Sequence, residues 1–199
     1  MHEFVAIGDI VTDTFIRLKE ATVKCDDREE NCTLTIPFGD KIPFESAEDI
    51  HAVGNSPNAA VAASRLGLKS ALVSNLGDDF LGSQCLASLE QDEVAVNLIS
   101  VHPDKPSNHH YVLWYGVDRT ILVKHEAYDY KLPEFEAPKW IYLSSLGENT
   151  LEYHRAIANY LASHPEVKLA FQPGTFQINL GTEKFKDIYV RTEILLCNI

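Results

Sequence analysis

The stretch Val53-Gly54-Asn55-Ser56-Pro57-Asn58 runs directly into Ala59-Ala60-Val61-Ala62-Ala63-Ser64-Arg65-Leu66-Gly67. A glycine precedes cap-forming residues, a proline falls in the first turn, and a glycine ends the run. That pattern predicts a helix capped by Ser or Asn. Its alanines allow close packing on a sheet. A glycine before a helix start lets a ligand approach the backbone. The first turn offers unpaired amides to hydroxyl or anionic groups. Asn58 adds a donor and an acceptor, which suits a hydroxyl-rich ligand. An ordinary loop and cap would use the same residues.

Working outward, Phe4–Val11 reads as a buried strand, and Ser70–Ser74, Val94–Val101, Trp140–Leu143, Lys168–Phe171 and the run from Ile194 read as further strands. Between them the spacing predicts helices from near Asp79, over Leu151–Ser163 and around Thr182–Tyr189. Strands alternating with helices argue for an α/β fold, an open parallel sheet with helices on both faces. Two hairpin signals do not fit the alternation. Residues 21–25 and 32–37 flank a polar loop, and residues 109–115 and 119–125 are joined through Gly116-Val117-Asp118. They predict a small β lid of strands at about 19–45 and 108–126, inserted in a single domain over 1–199. Their apolar residues predict that the hairpins lie side by side and meet a second copy of the chain. The chain closes on an apolar strand with nothing after it to cover it, which predicts that a C-terminal part of the fold is missing.

The 199 residues carry a net charge of −12. No basic excess is available to neutralise phosphates, so nucleic acid is not an expected partner. No apolar run approaches the ~20 residues needed to span a bilayer, and the N-terminus has no secretory pattern. A reduced cytoplasm is the expected compartment. Cys25, Cys32, Cys85 and Cys197 match neither a zinc site nor a CxxC pair, though Cys25 and Cys32 could meet across a hairpin.

Taken together, several pieces resemble the ribokinase-like (PfkB) carbohydrate kinases. They are Gly8-Asp9-Ile10-Val11-Thr12-Asp13, the Val53–Asn58 segment, Gly77-Asp78-Asp79-Phe80-Leu81-Gly82, Gln172-Pro173-Gly174-Thr175 and Leu195-Leu196-Cys197-Asn198. The resemblance implies an ATP- and magnesium-dependent transfer of the γ-phosphoryl group to a sugar hydroxyl. It implies that Asp13, at the carboxyl end of the first strand, binds sugar hydroxyls, with Gly54, Asn55 and Asn58 in the sugar loop. A turn-capping role for Asp13 is the alternative. The resemblance further implies that Asn108 and His110, opening a lid strand, and Glu148, after the Trp140 strand, touch the sugar; a solvated histidine and, for Glu148, a helix cap are the alternatives. Adjacent His109 and His110 point to opposite faces of a strand, and neither is expected to hold a metal. Gln172 and Asn198 fall near the transferred phosphate and the magnesium-nucleotide. Gly77-Asp78-Asp79 reads as a turn feeding a capped helix.

This sequence departs from the family pattern where Val53 replaces the first glycine of a doublet. The Gly-Ala-Gly-Asp segment that supplies the family's general base and anion hole does not occur, so no catalytic residue is assigned and the chain alone is expected to be inactive. A nucleoside kinase of the same fold and a non-catalytic sugar-binding relative are the alternatives. A dehydrogenase is disfavoured because no GxGxxG follows the first strand, and no GxxxxGK[ST] occurs either.

Overall fold

The computed structural model describes residues 1–28 and 31–197, which form two compact units. The first comprises Met1–Val11, His51–Asn108 and the described residues from His125 onward; the second comprises the described residues of Thr12–Ile50 together with His109–Lys124.

The first unit is built on strands β1 (Phe4–Ile7), β6 (Ser70–Gly77), β7 (Ile99–His102), β10 (Trp140–Leu143), β11 (Lys168–Phe171) and β12 (Thr192–Leu195). All pair in parallel, in the order β12-β11-β10-β1-β6-β7. Successive side chains on a strand point to opposite faces, so the apolar runs split into two cores. Val5, Ile7, Ile141, Leu143, Leu169 and Phe171 pack with Tyr153, Ile157 and Leu161 of α3 (Leu151–Ser163) and Ile188 of α5 (Lys186–Arg191). Ala6, Leu72, Leu76 and Tyr142 pack with Ala60 of α1 (Asn55–Arg65) and with Cys85 and Leu89 of α2 (Phe80–Gln91). Asp79 caps α2, its Oδ1 accepting from the Gly82 amide at 2.8 Å.

The second unit holds a four-stranded sheet in the order β5-β2-β8-β9, formed by β5 (Phe44–Val53), β2 (Val11–Leu18), β8 (His109–Tyr115) and β9 (Asp118–Leu122). β2 and β8 run parallel with Asp13 opposite His110, and β8 and β9 form a hairpin. A separate ribbon, β3 (Thr22–Cys25) with β4 (Cys32–Thr35), carries a Cys25–Cys32 disulfide between directly paired residues. Val23, Cys32 and Leu34 of that ribbon face Leu113, Tyr115 and Thr120 across a groove.

Several sequence expectations change. The first strand ends at Ile7, and the chain re-enters a strand at Val11 in the other unit. Asp13 is therefore the third residue of β2 and not the carboxyl end of the first strand. The cap of α1 is Gly54, at φ 124°, a conformation open to glycine alone. Asn55 and Ser56 are the first two residues of the helix and so stand past its cap, and the Ser56 Oγ donates to the Ile7 carbonyl at 2.7 Å. Within Val94–Val101 the regular strand begins only at Ile99, and the helix around Thr182–Tyr189 is a 3-10 turn (Thr182–Phe185) running into α5, preceded by α4 (Thr175–Leu180). The long β5 was not anticipated: Glu45, Glu48 and Asp49 on its exposed residues mask the alternation. The two hairpins stand side by side, yet β3 and β4 pair only with each other while β8 also pairs with β2, so the hairpins do not form one sheet.

Candidate active site

After β1 the chain leads to β6 and β7 on one side, and it returns to β10 on the other. Neighbouring strands whose connections leave in opposite directions open a crevice beyond their carboxyl ends, where α/β sheets bind ligands. Here that crevice lies beyond β1 and β10. Its floor is closed by backbone bonds from the Ser144 amide to Ile7 O at 2.9 Å and from the Asp9 amide to Ser145 O at 3.1 Å. Ser56 and Ser144 share a hydrogen bond at 2.6 Å, which ties the start of α1 to both strand ends. Gly54 enters α1 there: a Cβ at that position would stand 2.9 Å from the Asp9 carbonyl.

Asp9 is the charged group of this crevice. Its side chain is 7% exposed. Tyr130 donates to Oδ1 at 2.8 Å, while Oδ2 makes no hydrogen bond and lies 3.3 Å from Nδ1 of His125. Burial first, and the Asp9 charge second, push the Tyr130 phenol far above the ordinary tyrosine range, so it stays a donor. Tyr130 belongs to a row of rings that runs from His102 through Tyr128 and Tyr130 to Tyr153. Asp9, His125 and Tyr130 were not singled out from the sequence. Asp9 and Tyr130 are 121 residues apart, and Tyr130 lies on an irregular segment without a local signature. The position of Asp9 just after the first strand was the one usable signal.

The expected site residues fall in two groups. In the first unit, Asn55 and Asn58 are exposed at the start of α1, and Glu148 is exposed after β10. The cap of α3 is Thr150, not Glu148. Asn108 is 1% exposed and holds the fold together: its Nδ2 donates to Ile10 O at 3.1 Å, and its Oδ1 accepts from the Glu126 amide at 2.8 Å. Gln172, at the end of β11, accepts through Oε1 from the Tyr142 hydroxyl. Asn198 lies outside the described residues.

In the second unit, Asp13 and His110 stand opposite each other on β2 and β8, with Asp13 Oδ1 3.3 Å from His110 Nδ1. The Asp13 side chain is 19% exposed, and its Oδ1 is buried without a hydrogen bond. A position inside a strand removes the turn-capping alternative. His109 turns the other way and bonds through Nε2 to Thr14 Oγ1 at 2.7 Å, as strand alternation requires.

Among the described residues, no group of three or more His, Cys, Asp or Glu side chains is placed to hold a metal ion. No helix among them is long and apolar enough to cross a membrane.

Residues 20–173 match the family described as pfkB family carbohydrate kinase. No curated protein sequence matches the chain. Among solved structures, the Methanocaldococcus jannaschii nucleoside kinase is 16% identical with a TM-score of 0.75; the match covers 98% of this chain and 60% of that one. The Cryptococcus neoformans var. grubii serotype A ribokinase, solved in complex with ADP, is 19% identical with a TM-score of 0.70, over 98% of this chain and 56% of that one. The Halothermothrix orenii fructokinase is 21% identical with a TM-score of 0.66, over 97% of this chain and 66% of that one. The chain thus spans about 60% of the length of the nucleoside kinase it resembles. At these identities the likeness shows a shared fold.

Proposed function

Because the chain belongs to the pfkB family of carbohydrate kinases, we propose that it is the sugar-binding part of an ATP-dependent carbohydrate kinase, which moves the γ-phosphoryl group to a sugar hydroxyl. The observation that carries this reading is the crevice beyond β1 and β10, where α1 begins at Gly54 beside a buried carboxylate. Carboxylates and amides suit vicinal hydroxyls, since each hydroxyl both donates and accepts. Asp13, with a buried oxygen that makes no hydrogen bond, is assigned to sugar hydroxyls, and Asn55, Asn58 and Glu148 to the sugar's rim. A nucleoside is the alternative acceptor, since one of the solved structures this chain is similar to is a nucleoside kinase.

ATP and magnesium come with the family reading. The 199 residues contain no Gly-Ala-Gly-Asp, and positioning and charge stabilisation are what phosphoryl transfer requires of a protein. We therefore expect no magnesium-dependent ATP turnover from this chain alone. The cytoplasm is our proposed compartment; the Cys25–Cys32 disulfide is the observation against it. We also propose self-association through the hairpin surfaces, where Trp114, Ile121, Leu122 and Val123 are all at least 40% exposed. Sedimentation of the chain tests it, and a monomer at high micromolar concentration would contradict it.

The test of function is a thermal-shift screen against free sugars and nucleosides, with ADP release measured in parallel. A saturating ligand should raise the Tm by a few degrees through mass action. No shift with any sugar or nucleoside would overturn the binding reading. Steady ADP release would overturn the expected inactivity.

A further inference from the structure

One buried chain of hydrogen bonds joins the loops that follow β10 and β11. Gln177, 2% exposed, accepts through Oε1 from the Gly174 amide at 2.9 Å. A helix cap needs only that bond. The other side of the carboxamide donates to the Ser144 carbonyl at 3.0 Å and stands 3.4 Å from Nε2 of His154. His154, also 2% exposed, has Nδ1 2.7 Å from the Thr150 carbonyl, and the Thr150 hydroxyl donates to the Gly147 carbonyl at 2.9 Å. The two loops are in close contact, since a Cβ at Gly174 would stand 2.3 Å from Cβ of Ser145.

The chain of bonds assigns its own protons. A carbonyl only accepts, so Nδ1 of His154 carries the hydrogen, and Nε2 of the neutral ring turns a lone pair to the Gln177 amide. The carboxamide cannot turn over without setting its NH2 against the Gly174 amide. A second proton, on Nε2, would set donor against donor, and Gln177 would have to give up Ser144 or Gly174. Burial, as the largest cause, disfavours that proton, with the bond to Thr150 O and the Asp9 charge opposing. The other charged groups around the ring are Arg155 on its own helix, Lys184 on the 3-10 turn and Asp187 on α5. We infer that Gln177 is a positioning residue: through uncharged His154 it holds loops 144–150 and 172–174 in the geometry that binds the ligand, and protonation of His154 releases them. This inference rests on the sugar-binding reading above, whose rim residue Glu148 lies in the first of these loops.

The experiment compares wild type, His154→Phe and Gln177→Glu at about pH 7.5 and about pH 5, the range over which a histidine switches. Each is titrated calorimetrically with D-ribose, D-fructose and adenosine. Amide hydrogen exchange of the free chain, corrected for its intrinsic pH dependence, is read over 144–150 and 172–174, with β6 as the internal reference and a melting curve at each pH. Wild type should bind its probe about tenfold more weakly at the lower pH, and the two loops should lose protection while β6 keeps it. His154→Phe should lack both pH effects. Gln177→Glu should reverse them, because its carboxylate accepts from the Gly174 amide and pairs with His154 only when the ring is protonated. A pH dependence that survives His154→Phe belongs to the histidines beside Asp9 and Asp13 and overturns the inference; so does Gln177→Glu following the wild-type trend. Either result leaves the sugar reading standing, provided a probe binds. If Gln177→Glu fails to fold, wild type against His154→Phe decides. Failure of wild type to bind any of the three probes at either pH overturns the sugar reading, and exchange then decides the inference: loops that loosen with acid in wild type and not in His154→Phe sustain it, and equal protection in both overturns it.

Discussion

The two units are held together by different means. In the unit built on six parallel strands, apolar side chains fill both faces of the sheet, and Val5, Ile141, Leu143, Ile157, Leu161, Leu169 and Phe171 are fully buried. In the unit built on β2, β5, β8 and β9, Val112 is the one buried hydrophobic side chain among the described residues and Thr12 the one buried polar residue. Its strands rely on backbone ladders, on the Cys25–Cys32 bond, and on surface pairs such as Arg17–Glu45 at 3.0 Å, with Arg17 also 5.0 Å from the Trp114 ring. Large apolar side chains stay in solvent there: Phe38 and Val117 are fully exposed. Burial stabilises the first unit, while the second presents its apolar surface outward, as a ligand- or partner-facing element does.

The contrast can be broken at the cores. The chain has two tryptophans, Trp140 on a strand of the first unit and Trp114 on a strand of the second. Trp114→Phe and Trp140→Phe backgrounds therefore report the units separately in urea. Phe171→Ala should cost about 3–5 kcal/mol on the Trp140 signal. Val112→Ala should cost roughly 2 kcal/mol on the Trp114 signal. Equal shifts of both signals by either substitution would show one cooperative core and refute the division.

Reduction of the Cys25–Cys32 bond, whose partners are seven residues apart, comes next in size. By the loop-closure argument it should destabilise the ribbon by about 2–3 kcal/mol. Hydrogen exchange should quicken over residues 22–25 and 32–35 and remain unchanged over β10 and β11. Thiol titration of the unfolded, unreduced chain should find the two thiols of Cys85 and Cys197; four would contradict the bond.

The smallest effect concerns pH and the first unit alone. Burial, as the largest cause, holds the His154 pKa below its ordinary value, partly offset by its bond to Thr150 O and by Asp9. The folded chain thus binds this proton less readily than the unfolded chain. Stability from this group is present above the unfolded pKa near 6.5 and is lost as pH falls through the lower folded value. The His154 contribution to the Trp140-reported stability should decline below pH 6.5 with a slope no steeper than one proton. His154→Phe should flatten that slope, and an unchanged slope would remove His154 as its source.

Much of the first unit was legible along the chain. Trp140–Leu143, Lys168–Phe171 and Leu151–Ser163 appear with the bounds expected of them, because a strand buried on both faces is a continuous apolar run and an amphipathic helix repeats every 3.6 residues. The Asp79 cap was equally readable, since its amide partner Gly82 is three residues away. Exposed β5 was not, because a strand without a buried face need not alternate.

The sequence by itself therefore determined the alternating α/β plan, the two hairpins, the starts of α2 and α3 and the family resemblance, all of which rest on patterns a few residues long. Only the tertiary structure decided that Asp13 belongs to a strand of the second unit, that Asn108 is engaged in holding Ile10 and Glu126, and that Asp9 meets Tyr130 and His125 beyond β1. The physical reason is that solvation of a carboxylate depends on which side chains surround it in space. Here those neighbours come from more than a hundred residues along the chain, where no local period or spacing can announce them.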